Sequence, residues 1–379
     1  MDIEEEIPQQ PVTPPAPGKP RHNYPLHIVL FLLTLVSTSY AGAGFVAPAM
    51  FVSPDTGFLD LLLVGLPFGV LLMFFLTAHE FGHYFAARAH GVDATLPFYI
   101  PMPLVPFGTL GAVIRTRSVV PTRRALFDIG VAGPLAGFVV AVVYLIVGML
   151  TQPGVDWLYG IHPEYRALPA LPSYGLHFGD TILFSALRGL LVPEGRFFPG
   201  MNEIYHNPFL AIGWFGTFVT ALNMIPVGQL DGGHVLYAMF GRRQHVISRW
   251  IVRALIVIGI GSLAPMVLDL TRSYSADPVY NFLSSVFGPP LDWLAHAVPW
   301  WFTGWGGWLV WVLIIRIFIK VPHPDTPIQD PLDRKRMIVG WIALLIFVLC
   351  FSYNGLYDAP GAPATTPNPQ FQAPEGDVI

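Results

Sequence analysis

The sequence predicts an all-α polytopic membrane protein of about seven transmembrane helices, with a small membrane-associated β-hairpin or sheet. Three observations carry this expectation. Hydrophobic residues make up 53% of the 379 residues and charged residues only 12%, about half the charged share of a soluble domain. The mean hydropathy is +0.55. The apolar residues gather in seven runs, near 27–49, 64–89, 124–150, 208–227, 246–270, 303–320 and 337–353, most of them close to the ~17–25 residues that cross a bilayer as helix. A disordered chain, a coiled coil and an ordinary soluble enzyme are excluded.

In chain order, residues 1–24 are rich in Pro and acid and are expected to form a solvated cytoplasmic tail. They lack the basic-then-apolar start of a signal peptide and are too acidic for a transit peptide. Residues 25–270 form the expected core. Within it, 92–121 is a Pro- and Gly-rich linker whose alternation over 110–117 predicts a strand, paired with 98–102. Residues 151–207 read as an external insertion with one amphipathic piece, 181–191. Pro265 predicts a kink or an early end in the fifth run. Residues 271–302 read as a linker, with Trp293, Trp300, Trp301 and the nearby Trp305 as interfacial anchors. The C-terminal transmembrane helices fill 271–353, and from 354 to 379 a second solvated tail follows.

Basic residues orient the spans. Lys19 and Arg21 precede the first run, while Asp55 and Asp60 follow it without a neighbouring cation. Arg88, Arg115, Arg117, Arg123 and Arg124 lie between the second and third runs, Arg242, Arg243, Arg249 and Arg253 at the start of the fifth, and Lys320, Arg334, Lys335 and Arg336 between the last two. The positive-inside rule then puts the N-terminus in the cytoplasm and the C-terminus outside, as expected of a multi-pass protein of a prokaryotic cell membrane. With 20 Lys+Arg against 24 Asp+Glu, no nucleic-acid partner is expected. Cys350 is the only cysteine. Neither an intrachain disulfide nor a cysteine zinc cage is possible, so a metal must be held by His and carboxylate.

The second run contains His79, Glu80, Phe81, Gly82 and His83, the pattern H-E-x-x-H. On a helix the two imidazoles lie one turn apart on one face and can share a metal, with zinc the natural choice. Glu80 sits beside them to act on the water that the metal activates. Two His and a Glu within a bilayer helix are costly, which marks them as functional. A third ligand is needed. The fourth run breaks at Pro226, Gly228, Gly232 and Gly233, and broken backbone at membrane depth is tolerated where it lines a cavity. Asp231 lies in that break. Taken alone it reads as the N-cap of a helix over 232–240; beside His79 and His83 it reads as the third ligand. His234 reads as a supporting or capping residue, and His90, His206 and His245 as interfacial. Asp128 is expected to pair with Arg123 or Arg124.

His79 to His83, followed by Asn223, Pro226, Asp231 and Gly232, resembles the site-2 protease family of M50-like intramembrane zinc metalloproteases. Gly130, Gly133, Pro134 and Gly137 in the third run match the small-residue motif of that family. The stretches 106–112 and 226–234 are similar to the branch without a PDZ insertion, which includes chloroplast EGY-like and prokaryotic relatives. The resemblance implies one Zn2+ per chain on His79, His83 and Asp231, Glu80 as general base and then acid, and Asn223 stabilising the oxyanion or orienting the substrate. An interhelical hydrogen bond is the other reading of Asn223. The implied partners are transmembrane protein or peptide substrates within the lipid bilayer, cut by regulated intramembrane proteolysis. Unwinding a substrate helix frees backbone groups, and an edge strand over 110–117 is the expected site for their capture. The three glycines read as packing residues. The competing functions are a metal or ion transporter built on the same cluster and a catalytically silent membrane binding protein. No internal repeat supports an inverted-repeat transporter.

Overall fold

An apolar segment in lipid must satisfy its own peptide groups, so the long apolar runs fold as helices. The computed structural model describes residues 23–272, 278–319, 321 and 323–359. Lys19, Arg21, Lys320 and most of both expected tails lie outside them. The chain order is α1 (Tyr24–Val46), α2 (Ala49–Val52), α3 (Phe58–Ala89), β1 (Phe98–Pro101), β2 (Thr109–Val113), α4 (Arg123–Thr151), α5 (Val155–Ile161), β3 (Gly175–Phe178), α6 (Ile182–Leu191) and α7 (Pro208–Met224). It continues through α8 (Asp231–Phe240), α9 (Gln244–Gly261), α10 (Ala264–Arg272), α11 (Pro278–Ala297), α12 (Gly307–Ile314), α13 (Arg334–Cys350) and β4 (Leu356–Ala359).

The chain is mostly helical. Among the described residues, four stretches are long and apolar enough to cross a membrane: Tyr24–Val46, Phe58–Ala89, Arg123–Thr151 and Asp231–Leu268. Pro208–Met224 is apolar but shorter. Its surroundings explain the length: Leu210, Ala211 and Trp214 have no exposed surface, so α7 is matched to neighbouring helices rather than to lipid. By contrast, Leu33, Leu63, Phe74 and Val139 on α1, α3 and α4 are at least half exposed, an apolar outer belt of the kind that lipid covers. The same helices bury Phe68, Leu72, Phe75 and Leu145 in the core. α1 packs on α3, α3 on α4, and α4 on α7 and α8. The α1–α3 contact is close because Gly65 and Gly69 face Ser39; a Cβ on Gly65 would meet the Ser39 carbonyl at 1.9 Å.

The strand expected over 110–117 forms over Thr109–Val113 and pairs antiparallel with β1, Phe98 opposite Val113 and Tyr99 opposite Ala112. Among the described residues the sheet has these two strands, which leaves the other edge of β2 unpaired. The fifth run ends at Gly261 and resumes at Ala264, just before Pro265, as the proline predicted.

Two expectations are corrected. Residues 271–302 are not a linker, since α11 runs for 20 residues with Pro289 and Pro290 inside it. The stretch lies between the fifth and sixth apolar runs, so the apolar pattern alone gives no helix there. The second tail begins later than 354, because β4 pairs antiparallel with β3, Phe178 opposite Leu356. Trp308 Nε1 also donates to the Tyr353 carbonyl at 3.0 Å.

Candidate metal centre

α3 begins six residues before the second run was expected to start, and His79 lies in its last third, about 15 Å along the axis from Ala89. His79, Glu80 and His83 are 4%, 7% and 7% exposed. The face they share is covered by α4, and the small-residue motif makes that approach possible. A Cβ on Gly133 would stand 2.1 Å from His83 Nε2, and one on Gly137 would stand 3.2 Å from His79 Nδ1. His83 Nδ1 donates to the Ile129 carbonyl at 2.7 Å. A carbonyl only accepts, so Nδ1 carries the hydrogen and Nε2 turns its lone pair inward.

Asp231 arrives from the break after α7. It does not cap a helix: Leu230 holds the N-cap position and Asp231 is the first residue of α8. The turn before it is compact. Gly228 has φ +57°, and side chains on Gly232 or Gly233 would strike the Met224 and Gly228 carbonyls at 2.0 and 2.3 Å. Asp231 Oδ2 ends 3.5 Å from His79 Nε2 and 3.3 Å from His83 Nε2, and the two nitrogens are 3.1 Å apart. A point about 1.9 Å from all three atoms therefore exists, close to the ~2.0–2.2 Å of zinc bonds to nitrogen and oxygen. The donor set fits zinc. Asn223, in the last turn of α7, brings Nδ2 to 3.4 Å from His79 Nε2. All five predicted site residues line one cavity of about 340 Å3.

The backbone N–H of Ile114, just past β2, donates to Glu80 Oε2 at 2.8 Å. The sequence held no sign of this contact, since any residue but proline supplies the donor. A second, apolar cavity of about 660 Å3 adjoins the site between β2, Phe215, Phe218 and Trp311.

His234 lines the site cavity but stands outside the cluster. His323 Nδ1 donates to the Pro324 carbonyl, so its Nε2 accepts from His234 Nδ1 at 2.7 Å. Burial lowers the His323 pKa, which favours this neutral form. Asp128 pairs with His90 at 2.8 Å and with Arg336 at 2.7 and 2.9 Å, not with Arg123 or Arg124 as expected. Those two arginines turn to the Ala238 carbonyl and to Asp330, because the start of α13 brings a guanidinium nearer to Asp128. His90 is thus hydrogen-bonded to Asp128, His245 bonds the His323 carbonyl, and His206 is only 2% exposed.

A model of peptidase family M50 matches residues 67–266, just over half of the chain and all of this site. The chain belongs to peptidase family M50. This is the family of zinc metallopeptidases that the motifs predicted. Among curated M50 relatives, the probable zinc metalloprotease EGY2, chloroplastic, of Oryza sativa subsp. indica is 30% identical over 205 residues, which cover 54% of this chain and 34% of that protein. The probable zinc metalloprotease EGY1, chloroplastic, of Arabidopsis thaliana is 29% identical over 258 residues, covering 64% and 44%. The chain spans about a third to under half the length of these relatives. No solved structure matches it.

Proposed function

We propose that this M50 member is an intramembrane zinc metalloprotease that hydrolyses peptide bonds in membrane-spanning substrates. One observation carries the reading: two imidazoles, a carboxylate and the Glu80 carboxylate beside them converge at a cavity of about 340 Å3 within a bundle whose outer belt is apolar. His79, His83 and Asp231 would hold one zinc ion. Bound zinc supplies Lewis acidity towards water and the scissile carbonyl. Glu80 takes the proton of the attacking water and returns it to the leaving amine. Asn223 Nδ2 donates to the carbonyl oxygen as it gains negative charge. The unpaired edge of β2 receives the unwound substrate by strand addition, and alternate side chains enter the adjoining apolar cavity. Glu80, tied to Ile114 at the end of that strand, then stands in register with the bound peptide bond.

The same reading takes the bundle as seven crossings, formed by α1, α3, α4, α7, the α8–α10 stretch, α12 and α13. The arginines between α3 and α4 and at the start of α9 face the cytoplasm, as does the N-terminus, and the membrane is that of a prokaryotic cell. The core lies within 25–270, with 151–207 as the external insertion and the later helices as an addition.

The test is cleavage of a single-span reporter in proteoliposomes by wild type and Glu80→Gln, with metal content measured alongside. Glu80→Gln is expected to retain zinc and lose cleavage. Equal cleavage by the two proteins removes the protease reading.

A further inference from the structure

The insertion 151–207 carries a second cluster built from the same kinds of donor. We infer that His162, Glu203 and His206 form a second divalent-cation site, with zinc as its ion, at the end of the bundle opposite the H-E-x-x-H site. His162 follows α5, while Glu203 precedes and His206 ends a 3-10 turn, Ile204–His206, that leads directly into α7. Asn223 lies at the other end of α7, about 24 Å from this turn.

The inward-facing atoms are His162 Nε2, His206 Nε2 and Glu203 Oε2. The two nitrogens are 3.0 Å apart, and Oε2 lies 3.2 Å from His206 and 3.9 Å from His162. Every other polar atom of the three side chains is already engaged, in a way that turns these lone pairs inward. His206 Nδ1 donates to the Phe45 carbonyl at 2.7 Å. His162 Nδ1 is 2.9 Å from the Glu164 carboxylate, which accepts its hydrogen. Glu203 Oε1 accepts from the Tyr165 hydroxyl and from Asn202 Nδ2, each at 3.0 Å. Glu203 Oε2 is buried and has no hydrogen bond, although Glu203 as a whole is only 3% exposed.

Two bare imidazole nitrogens at 3.0 Å beside an unsatisfied carboxylate oxygen repel one another and leave a buried charge uncompensated. A cation among them converts all three contacts to attraction. The triangle has a point about 2.0 Å from each atom, the length of zinc bonds to imidazole and carboxylate. Both histidines have the outer hydrogen bond to a carbonyl or carboxylate that metal-bound imidazoles use to fix their tautomer. His162 is 18% exposed, which leaves water access for a fourth position. Glu203-x-x-His206 offers two donors one turn apart, but the sequence does not reveal that His162 meets them. The ion would fasten the insertion to the start of α7 and, through His206 and Phe45, to the end of α1.

The inference stands apart from the proteolytic reading because its test reads metal rather than cleavage. The full-length protein in detergent is loaded with Zn2+, freed of excess and analysed by mass spectrometry for zinc per chain. Two equivalents are expected for wild type and one for His79→Ala/His83→Ala. In that background, either His162→Ala or Glu203→Gln is expected to remove the remaining ion. Glu203→Gln keeps the side-chain shape and the acceptor for Tyr165, and circular dichroism checks that each variant is folded. A double variant without zinc, or a residual ion indifferent to both His162→Ala and Glu203→Gln, would overturn the site and leave a proton as the only ion in the cluster.

Discussion

The Ile114 amide donates to the Glu80 carboxylate at 2.8 Å, joining the free edge of β2 to the residue assigned the proton transfer. The link predicts that the strand does more than cover the bundle. Ile114→Pro removes the donor without touching the His79, His83 and Asp231 cluster. Cleavage is expected to fall at least about 10-fold, the cost of one charge-assisted hydrogen bond of about 1.5 kcal/mol, while zinc content stays at the wild-type value. Loss of zinc as well would mean that the fold, not the edge, had been damaged.

Glu80 and Asn223 are expected to separate in their effects. Glu80→Gln should lower cleavage by about 10²–10⁴-fold, the usual contribution of a positioned base. Asn223→Ala should lower kcat by about 10²-fold with little change in KM, as for an oxyanion donor. If Asn223 only joins helices, its loss will lower the unfolding temperature and leave kcat unchanged.

Gly133 tests the role of the small-residue motif. A methyl group there meets His83 Nε2 at 2.1 Å, so α4 or the imidazole must move. Gly133→Ala is expected to lower stability by about 1–3 kcal/mol, as overpacking does, and to reduce zinc content and cleavage together. Gly160 faces open space, and Gly160→Ala should leave zinc and cleavage unchanged.

Zinc removal offers a further check. A chelator such as 1,10-phenanthroline should abolish cleavage, and added Zn2+ should restore it, because the three donors are side chains of a preformed pocket. Failure of Zn2+ to restore activity to folded protein would count against zinc.

A pH dependence is expected in the segment that braces α8. Hydrogen bonds from Arg242 and Tyr237 hold the Asp325 pKa at about 2, below the ~3.9 of an unfolded Asp. The stabilisation is fully present above about pH 4 and fades as pH falls through about 2. Thermal unfolding in detergent should therefore show an acid-side fall in midpoint that is smaller in Asp325→Asn. Exposure keeps the effect modest.

Much of the centre was legible before any coordinates. His79 and His83 are neighbours because a helix repeats every 3.6 residues, and Glu80 follows from the same local geometry. Asp231 could be named because Pro226, Gly228, Gly232 and Gly233 break a span where breaks are costly. The N-cap, its reading when taken alone, gives way because α8 begins at Asp231 with Leu230 as its cap. The error at 271–302 came from reading helix only in the seven apolar runs, between two of which this stretch falls. The error at Asp128 came from choosing partners close in the chain.

The sequence by itself determined that this is a helical membrane protein with an H-E-x-x-H helix, a broken span bearing Asp231 and a short hairpin before Arg123. Hydrophobic periodicity and the cost of bare peptide groups in lipid act locally, and they can be read from neighbouring residues. Only the tertiary structure decided that Gly133 admits His83 against α4, that Ile114 holds Glu80, that Arg336 answers Asp128, and that His162 meets Glu203 and His206. Those contacts join distant segments, and they depend on how closely whole helices approach, which no short stretch of chain encodes.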